Sequence, residues 1–244
     1  MFASHTFART LIAGAAVMAA SSAWAYEFNA LNQLASQAEF KQVAQDLSAT
    51  LAYKPQAPAD SLGVIGFDLG LSVAATTVKS KDVLKRATGS DNVPGALPSV
   101  TLRAEKGLPL GFDVGVSYGV IPGTSASAFS GALKWAFVSG GLVTPSLATR
   151  VFFTETNGLG DMGLRSQGVD VSISKGFAIV TPYAGVGIVR SRASTKSNVW
   201  AKESYTQTRV FAGANVNLLV MDLSVEADKT GDDTTVGVKA GFRF

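Results

Sequence analysis

The sequence predicts an all-β fold, an antiparallel transmembrane β-barrel of about ten strands carrying an N-terminal amphipathic helix. Three observations predict it. From residue 61 onward the chain breaks into segments of about ten residues with period-two alternation, the length of a tilted strand that crosses an outer membrane. After Ala25 no uninterrupted apolar stretch reaches the roughly 20 residues that a spanning helix needs. The connections alternate between short turns and longer polar loops, as expected when the two faces of a membrane make different demands on a barrel.

At the N-terminus, Arg9 is followed by the apolar run Leu11 to Ala20 and then by Ala23-Trp24-Ala25, a small-x-small cleavage pattern. Residues 1–25 therefore read as a secretory signal peptide, residues 26–60 as a helix with a linker, and residues 61–244 as the barrel. The stretch Phe28 to Ala52 is rich in Ala, Gln and Leu and contains neither Gly nor Pro. Ser36-Gln37-Ala38-Glu39 fits a capping box, which places a helix over about Gln37 to Ala52 with Phe40, Val43, Ala44, Leu47 and Leu51 on one apolar face. Leu31, Leu34 and Ala38 share a different face, in a short preceding turn. Lys54-Pro55-Gln56-Ala57-Pro58-Ala59-Asp60 ends the helix and reads as an extended linker.

The strands are expected at Gly63 to Val78, Leu97 to Glu105, Pro109 to Val120, Ser127 to Val138 and Thr144 to Thr154, then at Leu164 to Ser174, Ala178 to Ser191, Ser204 to Ala214, Val220 to Glu226 and Thr235 to Phe244. Leu110, Phe112, Val114, Val116, Tyr118 and Val120 alternate with Gly111, Asp113, Gly115, Ser117 and Gly119, a surface built for two different solvents. Because Val220 to Glu226 is short, counts of eight or twelve strands stay open. The longer connections fall at Lys79 to Ala96, Ile121 to Ala126, Glu155 to Gly163, Arg192 to Glu203 and Ala227 to Thr234. An even strand number puts both ends of the barrel on the periplasmic side.

In these features the chain resembles Gram-negative outer-membrane β-barrel proteins, over residues 61–244 and the signal peptide, with no motif of a particular family. In that class the last strand typically ends in phenylalanine, and Phe242 and Phe244 in the alternating segment Val236 to Phe244 fit the pattern. The resemblance implies that these two residues form the insertion signal read by the barrel assembly machinery, and that the protein sits in the outer membrane among its lipids, lipopolysaccharide included.

By parity the lumen receives Asp68, Glu105, Asp113, Asp170, Asp222 and Glu226 together with Arg103, Lys134, Arg150, Arg209, Lys239 and Arg243, an even balance that reads first as a structural lattice. Other inward positions are small, among them Gly70, Gly111, Ala132, Ala136, Gly168, Ser172 and Gly185, so ten strands should leave internal room. A helix of sixteen residues is about 24 Å long, close to the apolar height of such a barrel, and the helix is a candidate plug or gate. The competing placement is the periplasmic rim or membrane surface. Arg165 and Arg190 point outward near the outer ends of their strands, where they either meet lipid phosphates or are displaced in parity by a bulge.

Chemistry is narrowly bounded. The chain has no cysteine, and its single histidine, His5, lies in the leader, which argues against an enzyme and supplies no catalytic or metal-ligating set. No cofactor is implied, and 21 basic against 18 acidic residues is too even to suggest nucleic acid. The function favoured is a small gated pore or transporter for a small solute. A closed structural or adhesive barrel acting through its outer loops is the alternative, and a soluble periplasmic binding barrel is a third reading.

Overall fold

The computed structural model describes residues 26–79, 81–141 and 143–244; the predicted signal peptide lies outside the described residues. Ten strands close into one barrel: β1 (Phe67–Thr77), β2 (Ala96–Gly107), β3 (Phe112–Val120), β4 (Ser127–Val138), β5 (Ser146–Asn157), β6 (Met162–Ser174), β7 (Val180–Thr195), β8 (Glu203–Leu218), β9 (Met221–Thr230) and β10 (Asp233–Arg243). Every strand is antiparallel to both neighbours, and β1 pairs with β10 from Asp68↔Arg243 to Thr76↔Thr235. Two helices accompany them, α1 (Gln37–Leu51) and α2 (Lys81–Thr88). The start of β1, the end of β10 and the short connections gather at one end of the barrel, here the turn end. The opposite, loop end carries residues 78–95, 121–126, 158–161 and 196–202.

The outer wall is inverted relative to a water-soluble protein. Leu71, Leu102, Val116, Val151, Val186, Ile188, Val210 and Val236 all stand exposed on it, while Asp, Lys and Arg side chains are buried within. An apolar skin of this kind needs lipid, because contiguous exposed patches this large are not tolerated in water. Aromatic rings border the skin at both ends, as expected where they meet the membrane interfaces. At the turn end Phe112 stacks on Trp135 at 5.7 Å, Trp135 meets Phe137 at 5.8 Å, and Phe67 meets the terminal Phe244 edge-on at 3.9 Å. Toward the loop end stand Tyr118, Phe129 and Phe153, the last two 6.2 Å apart.

Several expected boundaries move. β1 starts at Phe67 because Gly63, with φ +73°, turns the chain just before it. Pro109–Gly111 is a short 3-10 turn in which Leu110 takes φ 63°, so Leu110 does not belong to the outward row of β3. β7 and β8 run to 16 residues each and take Arg192, expected in a loop, onto the wall. β9 and β10 are joined by Gly231 and Asp232 alone, with Gly231 at φ 63°, so the expected long loop over Ala227 to Thr234 is a tight turn. The register shifts only between Ala136 and Val138 among the described residues, so no bulge displaces Arg165 or Arg190. Within the polar first loop, Val83, Leu84 and Ala87 fall on one face and make the unexpected α2, which carries Asp82 in its first turn and Lys85 and Arg86 in its last.

Residues 26–62 run down the inside of this wall. Tyr26 N–H donates to the Gly123 carbonyl at 3.1 Å and Ala30 N–H to the Ala87 carbonyl at 3.1 Å, both at the loop end. α1 then descends, and residues 52–62 continue as extended chain to the turn end, where β1 begins. The strands at the barrel seam thus end on one side while residue 26 lies on the other. Cysteines introduced at Glu27 and at Asn198 should be labelled by a membrane-impermeant maleimide from the same face of the membrane, and a cysteine at Leu219 from the opposite face.

Candidate functional site: the occupied lumen

The upper lumen is apolar. α1 starts at Ser36, whose Oγ accepts from Glu39 N–H at 3.3 Å, while the Glu39 carboxylate accepts from Ala35 N–H at 2.8 Å and pairs with Arg86 of α2. These contacts hold the Glu39 carboxyl below the usual range, the Ala35 N–H first and Arg86 second. The predicted face, Phe40, Val43, Ala44, Leu47 and Leu51, is buried in one cluster with Phe28, Leu31 and Leu34 from the N-terminal segment, Val83, Leu84 and Ala87 from α2, and Ile121, Leu159 and Leu164 from loops and wall. Trp200 stacks on Phe40 at 6.4 Å and donates its indole N–H to the Leu31 carbonyl at 2.7 Å. The largest apolar core of the molecule is therefore a stopper at the loop end.

The lower lumen is polar, and the reason is the conformation of the segment it holds. An extended chain that pairs with no neighbouring strand still has buried N–H and C=O groups to satisfy. Wall side chains do this. Arg103 donates to the carbonyls of Lys54 and Pro55 at 3.0 Å each and to the Gln56 side chain at 3.2 Å. Arg209 donates to the Tyr53 carbonyl at 2.7 Å, and Thr154 Oγ1 accepts from Tyr53 N–H at 3.1 Å. Glu226 accepts from Gln56 N–H at 2.7 Å, and Ser174 from Ala59 N–H at 3.1 Å. Lys134 donates to the Asp60 carbonyl at 2.7 Å, and Asp113 accepts from Leu62 N–H at 3.0 Å.

Tyr53 is the hub of this contact. Its hydroxyl donates to Glu105 at 2.7 Å and receives from Arg103 at 2.8 Å, its ring stacks on Phe152 at 5.8 Å, and the guanidiniums of Arg103 and Arg150 lie 5.1 and 5.6 Å from its centre. Lys54 forms an ion pair with Asp228 at 2.8 Å. At Gly237 the side-chain amide nitrogen of Gln56 lies 2.6 Å from where a Cβ would stand, so a larger residue there would push the end of that side chain aside.

The predicted luminal charges thus divide by task. Arg103, Glu105, Asp113, Lys134, Arg209 and Glu226 contact the inserted segment. Lys239, fully buried, joins Asp68 at 2.6 Å and Asp222 at 2.8 Å in a lattice internal to the wall, its stem lying over Gly70. Arg150 and Asp170 face each other more loosely, at 3.8 Å, and Arg243 stands across from Asp68 at the turn end. Sequence reasoning missed Tyr53, Lys54 and Gln56 as participants, and missed the inward aromatics Phe152, Tyr183 and Phe211. Two wall glycines expected to leave space lie opposite these rings, Gly168 opposite Phe152 and Gly185 opposite Phe211, and Gly213 lies opposite Tyr183. A cavity of about 20 Å³ remains beside Tyr53 and Arg103, room for about one water.

Lys239→Met leaves two buried carboxylates, Asp68 and Asp222, without their ion-pair partner, a change that typically costs about 3–5 kcal/mol. The temperature at which the heat-modifiable band on a gel converts should therefore be lower in this variant than in the parent protein at neutral pH.

No protein-family profile and no curated protein matches the sequence. Solved structures do resemble the barrel. A de novo designed transmembrane β-barrel aligns with 78% of this chain and 100% of its own, at 13% identity and a TM-score of 0.35. Ail, the attachment invasion locus protein of Yersinia pestis, aligns with 73% of this chain and 98% of its own, at 13% identity and a TM-score of 0.29. The KdgM porin, solved with oligogalacturonate, aligns with 74% of this chain and 99% of its own, at 6% identity and a TM-score of 0.39. Likenesses this distant concern the barrel wall alone. By its own closed wall, apolar skin and aromatic borders, the chain is a ten-stranded antiparallel transmembrane β-barrel of the outer-membrane kind.

Proposed function

We propose that the protein is an outer-membrane barrel closed at rest by its own N-terminal segment, and that it conducts small polar solutes when this segment leaves the lumen. The observation that carries the reading is the passage of residues 26–62 through the lumen from end to end, packed so closely that the cavity beside Tyr53 and Arg103 is about 20 Å³. The two halves of the plug are held differently. Residues 53–62 are held by polar contacts that water can replace one for one, whereas α1 and the N-terminal turn are held by an apolar cluster that water cannot replace. Movement is thereby controlled at the loop end, and the groups released by the plug, Arg103, Glu105, Lys134, Arg209 and Glu226, become a polar pore lining.

Export by the signal peptide, recognition of Phe242 and Phe244 by the barrel assembly machinery, and exposure of the loop end to the cell exterior belong to the same reading. It assigns the barrel no catalytic role. The second reading, a closed structural barrel that works through its loops, is favoured by the number of wall residues committed to the inserted segment.

Planar-bilayer recording separates the two. The intact mature protein should be silent, and deletion of residues 26–60 should give a stable conductance. Because deletion strips partners from buried charges, Leu47→Asp serves as a second variant: it places a carboxylate in the apolar cluster and should raise the frequency of openings in the full-length chain. The chain has no cysteine, so Ala59→Cys with Ala148→Cys, at neighbouring side chains of plug and wall, creates a single possible disulfide. Oxidation should abolish the openings of Leu47→Asp and a reductant should restore them. Silence of Leu47→Asp and of the folded deletion variant would favour the closed structural barrel.

A further inference from the structure

The outer wall carries one charged field, on β6 and β7. Arg190 and Arg192 of β7 and Arg165 of β6 all point away from the lumen and are exposed. The pairing register places Arg192 directly opposite Arg165, and Arg190 directly opposite Gln167. On the other side Arg190 faces Thr206 and Arg192 faces Ser204 of β8, both exposed. Two cations opposite each other on adjacent strands repel, which is a standing cost to the sheet. One carboxylate reaches the field, Glu155, and it is bound by Arg165 at 2.6 Å. Arg190 and Arg192 form no ion pair with any described residue.

Their height on the wall is informative. On β7 the outward residues Val180, Pro182, Ala184, Val186 and Ile188 are apolar, and the run turns cationic at Arg190 and Arg192. Eight residues at about 3.3 Å each and a tilt of roughly 40° rise about 20 Å, most of an outer-membrane hydrocarbon band of about 25 Å. The two arginines therefore stand about 5 and 10 Å above the last apolar row, at headgroup level. On the neighbouring strands β3, β4 and β5 the same border is drawn by Tyr118, Phe129 and Phe153. Arginines stand at this border only on the β6–β7 side of the described wall.

We infer that Arg190 and Arg192, with Arg165 beside them, form a binding site for the phosphate groups of lipopolysaccharide in the outer leaflet. A guanidinium fork matches a phosphate in a bidentate way, and a phosphate between two facing arginines turns their repulsion into shared attraction. Lipid phosphate is the occupant that the position selects, since the arginines continue an acyl-chain surface directly upward. The inference rests on placement in the outer membrane and is independent of whether the plug moves.

The test uses the full-length mature protein in phosphatidylcholine nanodiscs doped with bisphosphorylated lipid A, with dephosphorylated lipid A of the same acylation, or with phosphatidylglycerol, read by native mass spectrometry. Retention should be strongest for bisphosphorylated lipid A. The double variant Arg190→Gln with Arg192→Gln should weaken it about tenfold or more, the loss expected on removing charge-assisted hydrogen bonds. Lys229→Gln, at an exposed base on β9, should leave it unchanged. The substituted side chains are exposed, so heat-modifiable mobility should match that of the parent protein. Equal retention of lipid A with and without phosphate, equal retention of phosphatidylglycerol, or a double variant that binds like the parent would overturn the proposal.

Discussion

An extended chain drawn through a closed barrel has no neighbouring strand, and that absence dictates the rest of the lumen. Each buried N–H and C=O of residues 53–62 needs a partner, and the wall strands have already spent their own backbone groups on one another. The partners must then be side chains long enough to cross the gap and rich enough in donors to hold carbonyls. Arg103 is the clearest case, since its fork serves two successive carbonyls, a side-chain amide and a tyrosine hydroxyl together. The acids that hold the N–H groups then balance the bases that hold the carbonyls. Part of the charge balance of the lumen thus follows from the two polarities of a peptide backbone, and the rest is the wall's own lattice of Lys239 with Asp68 and Asp222.

The helix above poses the opposite problem. α1 satisfies its own backbone and offers the wall only side chains, so it is seated by shape and by exclusion of water. The wall around it is largely apolar at Leu97, Ala128, Leu164 and Ala193, while α2 and the loops contribute Val83, Leu84, Ile121 and Leu159. The change from polar to apolar contact falls near Ala52, where α1 ends and the extended chain begins. One barrel thus holds two kinds of filling because the filling has two kinds of secondary structure.

The wall was legible in the sequence because a strand between lipid and lumen must alternate. Ser127–Val138 is recovered at both ends, and the buried charges from Asp68 to Lys239 take the inward parity that the alternation gives them. What was not legible depended on pairing between strands. Phe152 has inward parity, but Phe153 beside it suggests an aromatic pair at the membrane border, and nothing local reveals that Gly168 waits opposite. The wall therefore read as small and empty. Pro55 and Pro58 marked Lys54 to Asp60 as extended, correctly, but extended chain has the same sequence signature in solvent as in a lumen. Even α2 was hidden, its apolar side being three residues in an otherwise polar loop.

The path of residues 26–66 also constrains how the barrel can be assembled. The inserted segment is continuous with β1, enters at the loop end and meets β1 only after crossing the full lumen. Threading it after β1 had paired with β10 would draw Phe28, Phe40, Leu47 and the rest of α1 through the closed barrel. A segment that lies against the sheet while the seam is still open avoids that passage, since closure from Asp68↔Arg243 to Thr76↔Thr235 then encloses it. Lys54 fits this order, since its partners Asp228 on β9 and Thr235 on β10 belong to the last strands made, while Arg103 on β2 belongs to one of the first. The inserted segment therefore bridges the two edges that must find each other, and its contacts to both favour closing of the seam.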